Sequence, residues 1–376
     1  MIYLDHAATA PPDPRVLEAM LPYLTERFGN PSAPHAAGRE ARADLDQARG
    51  LIAARLGCDQ ADVVLTGGGT EADNLAVLGR SQGLPGRIVV SALEHPAVQR
   101  AADALAMRGW EVAIAPAGAD GSLDLDAFAA LVRPGDAHAC VIGASNVTGV
   151  LQPITEVAAL CAERGVPLHI DDVQTASGAP INLNVLPGAV TAAIAAHKLG
   201  GPRGVGALVG CGLNDLAPVV YGGGQERGLR SGTENVAGAV GLAAALDIHQ
   251  GAAAVEERSH RAALRNQLEQ RLGLSVAGAA AERLPGHSLL LTGLRGDTVV
   301  RLLDERGIAV SAGSACSSGD PEPNATLTAM GIDDATARSA VRVTLGPTTT
   351  QHDIDAFVDA WSEIEPLLRI AVEASA

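Results

Sequence analysis

Short apolar runs alternate with helical patterns through the first two thirds of the chain. Seven runs are too short for helices and predict buried strands, at residues 63–65, 87–91, 112–115, 140–144, 168–171, 192–196 and 205–209. Several are separated by segments with apolar residues at helical spacing, which predict helices at 71–80, 96–107 and 154–164. This alternation predicts an α/β domain with a mainly parallel sheet covered by helices.

The pattern changes near residue 247. Two helices are predicted at 234–250 and about 252–272. Beyond them, short strands flank further helices, with strands at 288–291, 308–310 and 341–345 and helices at 297–306 and 351–368. We therefore expect a large domain over residues 13–247. Residues 1–12 and 248–376 would form a smaller α+β domain that carries the loop around Cys316.

Composition narrows the function further. The 376 residues carry a net charge of −16, which argues against nucleic acid as a direct ligand. No stretch of membrane-spanning length is free of charge and proline, and residues 1–6 lack the basic start and apolar run of a secretory signal. The five cysteines are far apart and form no Cys-x-x-Cys pair, which favours a reducing cytoplasm.

Two polar side chains stand directly after predicted strands. Lys198 follows an apolar run and precedes a Gly-Gly-Pro turn. A desolvated lysine there can have a lowered pKa and form an imine, although a surface lysine is the ordinary alternative. Asp171 closes the strand at 168–171. It is typical of an acid that pairs with the ring nitrogen of a bound pyridine, and a turn or capping aspartate is the alternative.

Three loops carry further candidate chemistry. The glycine turn at 67–69 joins a strand to a helix and favours an anion, without the spacing of a Walker or dinucleotide motif. Residues 221–233 combine glycines with two arginines and a Ser/Thr pair, which indicates anion binding or a flexible linker. Cys316 lies in a Gly/Ser loop at 311–319, where an exposed thiol is typical of a nucleophile, whereas most free cysteines are buried.

Together these stretches resemble the NifS/IscS-like cysteine desulfurases, in the class V aminotransferase group of fold-type I pyridoxal-phosphate enzymes. The resemblance covers nearly the whole chain and rests on the order and spacing of motifs at residues 3–9, 28–32, 70–74, 94–98, 197–198, 313–318 and 341–346. It implies a seven-stranded, mainly parallel sheet in a large cofactor-binding domain. It also implies pyridoxal 5′-phosphate (PLP) as the cofactor.

The resemblance implies roles around PLP. Lys198 would bind the cofactor aldehyde as an imine and move the substrate's Cα proton, and Asp171 would pair with the ring nitrogen. The other cofactor contacts would be Gln174 at the phenolic oxygen, His95 stacked on the ring, and Gly69, Thr70 and His197 at the phosphate. Thr233 would reach the phosphate in the other subunit, which implies a homodimer.

The resemblance also implies a substrate and a reaction. Asn146 and Arg342 would bind L-cysteine, with a two-pronged contact from Arg342 to the carboxylate. Cys316 would attack the substrate sulfur and keep it as a persulfide while L-alanine leaves, and His95 would assist as an acid or base. The sulfur would pass to an acceptor protein, for iron–sulfur cluster assembly or another thiolation. The histidines form no ligand cluster, so we expect no metal site in the chain itself.

Two departures from the family pattern and three alternative functions stay open. Ala195 stands where the family often has serine, and Val147 and Thr148 replace a stretch that often holds an acid. A class V aminotransferase or a carbon–sulfur lyase for another substrate would keep Lys198 and Asp171 but make Cys316 incidental. A non-catalytic binding scaffold is the third reading.

Overall fold

The computed structural model describes residues 1–313 and 324–373. The strands of this part are β1 (Ile2–Tyr3), β2 (Val63–Thr66), β3 (Arg87–Ser91), β4 (Glu111–Ala115), β5 (His138–Ile142), β6 (Leu168–Asp171), β7 (Val190–Ala195), β8 (Gly206–Gly210), β9 (Ser275–Val276), β10 (His287–Leu291), β11 (Ile308–Ala309), β12 (Ser311–Ala312) and β13 (Ala340–Thr344). The helices are α1 (Pro14–Thr25), α2 (Ala36–Leu56), α3 (Gly69–Arg80), α4 (Pro96–Ala106), α5 (Leu125–Leu131), α6 (Ile154–Glu163), α7 (Val236–Gln250), α8 (Ala253–Leu272), α9 (Gly296–Asp304), α10 (Ala325–Ala329), α11 (Asp334–Arg338) and α12 (Gln351–Glu373).

The larger sheet has seven strands in the order β2-β8-β7-β6-β5-β3-β4. The five strands from β7 to β4 run parallel, and β8 is antiparallel to both of its neighbours. The predicted seven-stranded, mainly parallel sheet is confirmed. Strands β5 to β8 are buried along their whole length, as expected for strands covered on both faces.

The remaining strands form two small sheets. One is an antiparallel sheet in the order β12-β13-β10-β9, and the other is the parallel pair β1-β11. A bridge between Asp5 and Thr344 links the chain after β1 to the end of β13. These sheets with α8, α9 and α12 give the expected α+β architecture. The domain boundaries at 12/13 and 247/248 stay a prediction.

Separate apolar clusters pack against the seven-stranded sheet and the four-stranded sheet. The larger cluster lies between the seven-stranded sheet and helices that include α2 and α7, and its most voluminous fully buried side chain is Phe128. The second cluster packs α8, α9 and α12 against β10 and β13, and its most voluminous fully buried side chain is Phe357. Leu4 of the N-terminal segment belongs to this second cluster, so burial of an apolar side chain holds the segment on the small sheet.

The sequence predicted a helix that ends near Cys58 but not the bounds of α2. The buried face of α2 combines small side chains with three large apolar residues, Leu45, Ile52 and Leu56. A stripe of alanine and glycine gives a weak apolar periodicity although it packs closely on α7.

Membrane-spanning potential in the described chain is confined to one bent pair. No single helix is both long and apolar enough to cross a bilayer. Helices α7 and α8 satisfy the length and composition requirement only together, and they meet at a bend of 70°.

Candidate active site

A cavity of about 840 Å³ opens at the carboxyl ends of the parallel strands. Ligands gather at this edge in open α/β sheets, because loops after adjacent strands converge there. The lining includes eight of the residues predicted from the sequence: Gly69, Thr70, His95, Asn146, Asp171, Gln174, His197 and Lys198. They come from five separate stretches of the chain, so the fold brings together what the sequence keeps apart.

Asp171 is the buried acid of this cavity. It ends β6, is 3% exposed, and accepts a hydrogen bond of 3.1 Å from the backbone N–H of Val173. Burial raises its pKa to about 7, and the nearby carboxylate of Asp73 adds to the shift. No cationic side chain among the described residues forms an ion pair with it. A cationic ring nitrogen would supply the missing partner.

Lys198 is the amine of the cavity. It ends a short 3₁₀ turn after β7 and donates hydrogen bonds to the carbonyl oxygens of Ala7 and Ala8. Burial lowers its pKa to about 8; Arg342 also lowers it, while Asp171 and Asp5 oppose the shift. A substantial neutral fraction near physiological pH is the condition for imine formation and for proton transfer by an amine.

His95 caps α4 and also faces the cavity. Its Nδ1 accepts a hydrogen bond of 3.1 Å from the backbone N–H of Ala97, and Pro96 follows at the first helical position. Burial lowers its pKa; Lys198 also lowers it, and Asp171 opposes them. Because Nδ1 accepts, the neutral ring carries its proton on Nε2.

The turn from β2 into α3 forms an anion cradle. Gly68 has a φ of +150°, which favours glycine, and a Cβ built there would meet no atom within 4 Å. Gly69 and Thr70 begin the helix, where backbone N–H groups lack intrahelical acceptors. Gly206 of β8 allows the turn to lie close, because a Cβ there would lie 2.6 Å from the carbonyl carbon of Gly68.

Gln174, Asn146 and His197 complete the predicted lining. The Gln174 side-chain amide donates to the carbonyl oxygen of Ala7 at 3.0 Å. The backbone carbonyl oxygen of Asn146 accepts a hydrogen bond of 2.8 Å from Nη1 of Arg342. His197 lies 3.2 Å from the hydroxyl of Thr9 through its Nδ1, and burial lowers its pKa to about 4.

The structure does not place the other predicted site residues in this lining. Arg342 lies on β13 and donates a hydrogen bond to Asn146, which is a residue of the lining. Thr233 is exposed and outside the lining. Its predicted role concerns the cavity of another subunit. Cys316 lies outside the described residues.

The structure adds acids that sequence reasoning missed. Asp73 is 1% exposed, and its Oδ1 lies 3.1 Å from Nε2 of His169. Asp73, His95 and Asp171 have ligand atoms within 4.8 Å of one another, the described group that comes closest to a metal site. Glu94 is buried beside them, and burial raises its pKa well above the ordinary value. The signal available was the position of Asp73, one turn into the helix that follows the glycine cradle.

The residues present fit PLP. Asp171 is a buried acid that forms no ion pair within residues 1–313 and 324–373, Lys198 is an amine with a lowered pKa, and Gly68–Thr70 form a cradle for a phosphate. All three features line one cavity.

Known proteins are similar to this chain in architecture and in sequence. The family profile named Aminotransferase class-V matches residues 2–357. An IscS-like cysteine desulfurase of Mycobacterium tuberculosis is 40% identical, over 96% of this chain and 95% of that protein. Among solved structures, a NifS-like protein superposes with a TM-score of 0.89 at 31% identity, over 98% of this chain and 99% of the other. A structure titled SspA in complex with cysteine gives a TM-score of 0.81 at 29% identity, over 93% of this chain and 100% of the other. This chain therefore belongs to the class V aminotransferase family and, within it, to the cysteine desulfurases of the IscS and NifS type.

Proposed function

We propose that this chain is a PLP-dependent cysteine desulfurase that converts L-cysteine to L-alanine and holds the sulfur as a persulfide on Cys316. The observation that carries the proposal is the placement of Lys198 and Asp171 in one cavity, with pKa values of about 8 and about 7. The full-length relatedness to cysteine desulfurases supports the choice of this reaction on that scaffold.

The cavity residues would divide the work of holding PLP. Lys198 would hold the aldehyde carbon, and Asp171 the ring nitrogen. The other contacts would be made by His95 on the ring face, Gln174 at the phenolic oxygen, Gly69, Thr70 and His197 at the phosphate, and Thr233 from the partner subunit of a homodimer. When bound, PLP supplies an electron sink for the bonding pair of the substrate's Cα–H bond.

The chain's own groups move the protons. The neutral Nζ of Lys198 accepts the Cα proton of L-cysteine, which its lowered pKa permits near neutral pH. Ionised Asp171 would stabilise positive charge at the ring nitrogen, and its buried position would strengthen that interaction. His95 lines the same cavity and its neutral ring carries the proton on Nε2, so we propose that His95 assists as an acid.

The sulfur step balances without an external oxidant. The Cys316 thiolate attacks the sulfur of L-cysteine, a new S–S bond forms, and the Cβ–S bond breaks. The electron pair of that bond stays on the carbon fragment, which takes up protons and leaves as L-alanine. The enzyme thiol becomes a persulfide, so one sulfur atom is transferred for each L-alanine released.

Substrate and partners follow from the same assignment. Asn146 would contact L-cysteine from the cavity wall, and Arg342, hydrogen-bonded to Asn146, would bind the carboxylate. The persulfide would serve an acceptor protein, for iron–sulfur cluster assembly or another thiolation. The four described cysteines are unpaired, which supports a reducing compartment such as the cytoplasm.

Mutation of Cys316 tests the proposal. We expect the wild-type protein with L-cysteine and a thiol reductant to release equal amounts of L-alanine and sulfide. Without reductant, mass spectrometry should find added sulfur on the peptide that contains Cys316. Cys316→Ala should lose both sulfide release and the added sulfur.

Cys211→Ala is the matched control, because Cys211 is exposed and lies outside the cavity lining. It should behave as wild type. Undiminished sulfide release by Cys316→Ala would contradict the proposal and favour a carbon–sulfur lyase. Transfer of the amino group to a keto acid, with no L-alanine formed, would favour an aminotransferase.

A further inference from the structure

Arg342 is held on two sides by contacts from distant segments. Its Nη2 donates to Oδ1 of Asp5 at 2.8 Å, and its Nη1 donates to the carbonyl oxygen of Asn146 at 2.8 Å. Its Nε is buried and without a hydrogen-bond partner among the described residues. A guanidinium has five N–H donors, so these two bonds fix its plane and leave Nη donors for another ligand.

Asp5 is itself fixed in place. It lies just after β1, and its backbone bridges Thr344 on the strand that carries Arg342. Its carbonyl oxygen accepts from the hydroxyl of Tyr3 at 3.1 Å. The side chains of Asp5 and Arg342 are 19% and 12% exposed, so the pair is shielded from most of the solvent. Shielding makes this ion pair stronger than an exposed one.

The pair also acts on the amine of the cavity. The positive charge of Arg342 lowers the pKa of Lys198, whereas the negative charge of Asp5 raises it. Asp171 raises it as well, and Lys198 in turn lowers the pKa values of His95 and His197. Asp5 therefore partly offsets the field of Arg342 at the reacting nitrogen.

We propose that Asp5 is a positioning residue that orients the guanidinium of Arg342 and so determines how tightly the site holds the α-carboxylate of its amino-acid substrate. This inference rests on the proposed function, which gives Arg342 the carboxylate. Asp5 does not touch the substrate. It acts through Arg342, by fixing the plane in which the free N–H donors lie.

A carboxylate-bearing ligand and its decarboxylated counterpart separate this role from a general structural one. L-Alanine and ethylamine differ by the carboxylate alone, and binding of each to the holoenzyme is followed by the change in cofactor absorbance. Asp5→Ala should weaken L-alanine about tenfold or more, the loss expected for one charge-assisted hydrogen bond, and leave ethylamine unchanged. The KM for L-cysteine should rise by a similar factor with kcat within about threefold of wild type.

Asp5→Asn distinguishes orientation from charge. The asparagine oxygen still accepts from Arg342, so L-alanine affinity should recover at least partly. The negative charge is lost, so the pKa of Lys198 should fall in both variants. Lys198 is the only lysine in the chain. Its pKa can therefore be read from the pH dependence of amine labelling of the cofactor-free protein, at a single peptide.

Asp355→Asn is the control, because it removes the same charge from an ion pair with Arg271. The side chains of Asp355 and Arg271 are 47% and 37% exposed. It should match wild type in every measurement. Equal weakening of L-alanine and ethylamine by Asp5→Ala, or no weakening of either, would overturn the inference. Ligand binding and labelling require no desulfuration. Failure of the wild-type protein to make L-alanine from L-cysteine would therefore refute the proposed function, while these measurements would still decide the role of Asp5.

Discussion

The protonation of Lys198 gives the sharpest test of the site. In the cofactor-free protein, burial and the charge of Arg342 lower its pKa from an ordinary value of 10.5 to about 8. We expect its reactivity toward an amine reagent to rise with pH around a midpoint near 8. Arg342→Gln removes a positive charge from the neighbourhood and should move the midpoint upward.

The size of the effect follows from the two pKa values. At pH 7, an amine with a pKa of about 8 is neutral in about 10% of molecules, whereas an ordinary lysine is neutral in about 0.03%. The neutral fraction of Lys198 is therefore about 300-fold larger. Only the neutral amine reacts, so the labelling rate at pH 7 should be higher than that of a model lysine peptide by a factor of this order, reduced by partial burial.

Brief labelling across pH 6–11, followed by proteolysis and mass spectrometry, measures the midpoint. Lys198 is the only lysine of the sequence, so labelling of a side-chain amine is read at one peptide. Arg271→Gln is the control, because Arg271 is paired with Asp355 outside the cavity lining. A Lys198 midpoint near 10.5, unchanged in Arg342→Gln, would refute the reasoning, because it would mean that the amine is solvated and independent of Arg342.

Two further predictions concern stability. Burial raises the pKa of Asp171 from 3.8 to about 7, so the cofactor-free folded protein binds more protons than the unfolded chain between these values and loses stability as the pH rises through them. At pH 8, Asp171→Asn should then have a free energy of unfolding in urea up to about 4 kcal/mol higher than that of wild type, and near pH 3.5 the two should be equal. A difference independent of pH would contradict this assignment. The buried pair of Arg49 and Glu226 is joined by hydrogen bonds of 2.7 and 3.0 Å. Arg49→Ala should lower the free energy of unfolding in urea by about 3–5 kcal/mol, because it leaves an uncompensated buried carboxylate. Arg100→Ala, at an exposed pair, should cost under about 1 kcal/mol, and an equal loss in both variants would contradict the role of burial.

The parts of the site that sequence reasoning found share one property. Asp171 ends a buried strand, Lys198 lies three residues beyond the end of another, and Gly69 joins a strand to a helix, so each is marked by its immediate neighbours. Once the strands are known to be parallel, their carboxyl ends must meet at one edge. Local pattern and topology were therefore sufficient to bring these residues into one cavity.

Long-range contacts were not visible in that pattern. Arg342 pairs with Asp5 across 337 positions, and Arg49 pairs with Glu226 across 177. Glu226 has a φ of +48°, an uncommon backbone conformation in a segment that the sequence allowed to be a flexible linker. Its burial and its bond to the backbone N–H of Leu65 show an ordered, buried segment instead.

The sequence by itself determined the strands of the large sheet, the helices of clear apolar periodicity, the sheet class and the residues at strand ends, because apolar periodicity and turn chemistry act between neighbours in the chain. Tertiary structure alone decided which charge meets which. It placed Asp73 beside Asp171 and Asp5 against Arg342. It also placed Lys198 where the charges of Asp5 and Arg342 shift its pKa. The physical reason is that a pKa or an ion pair depends on burial and on distances between groups far apart in sequence, and packing of the whole chain sets both.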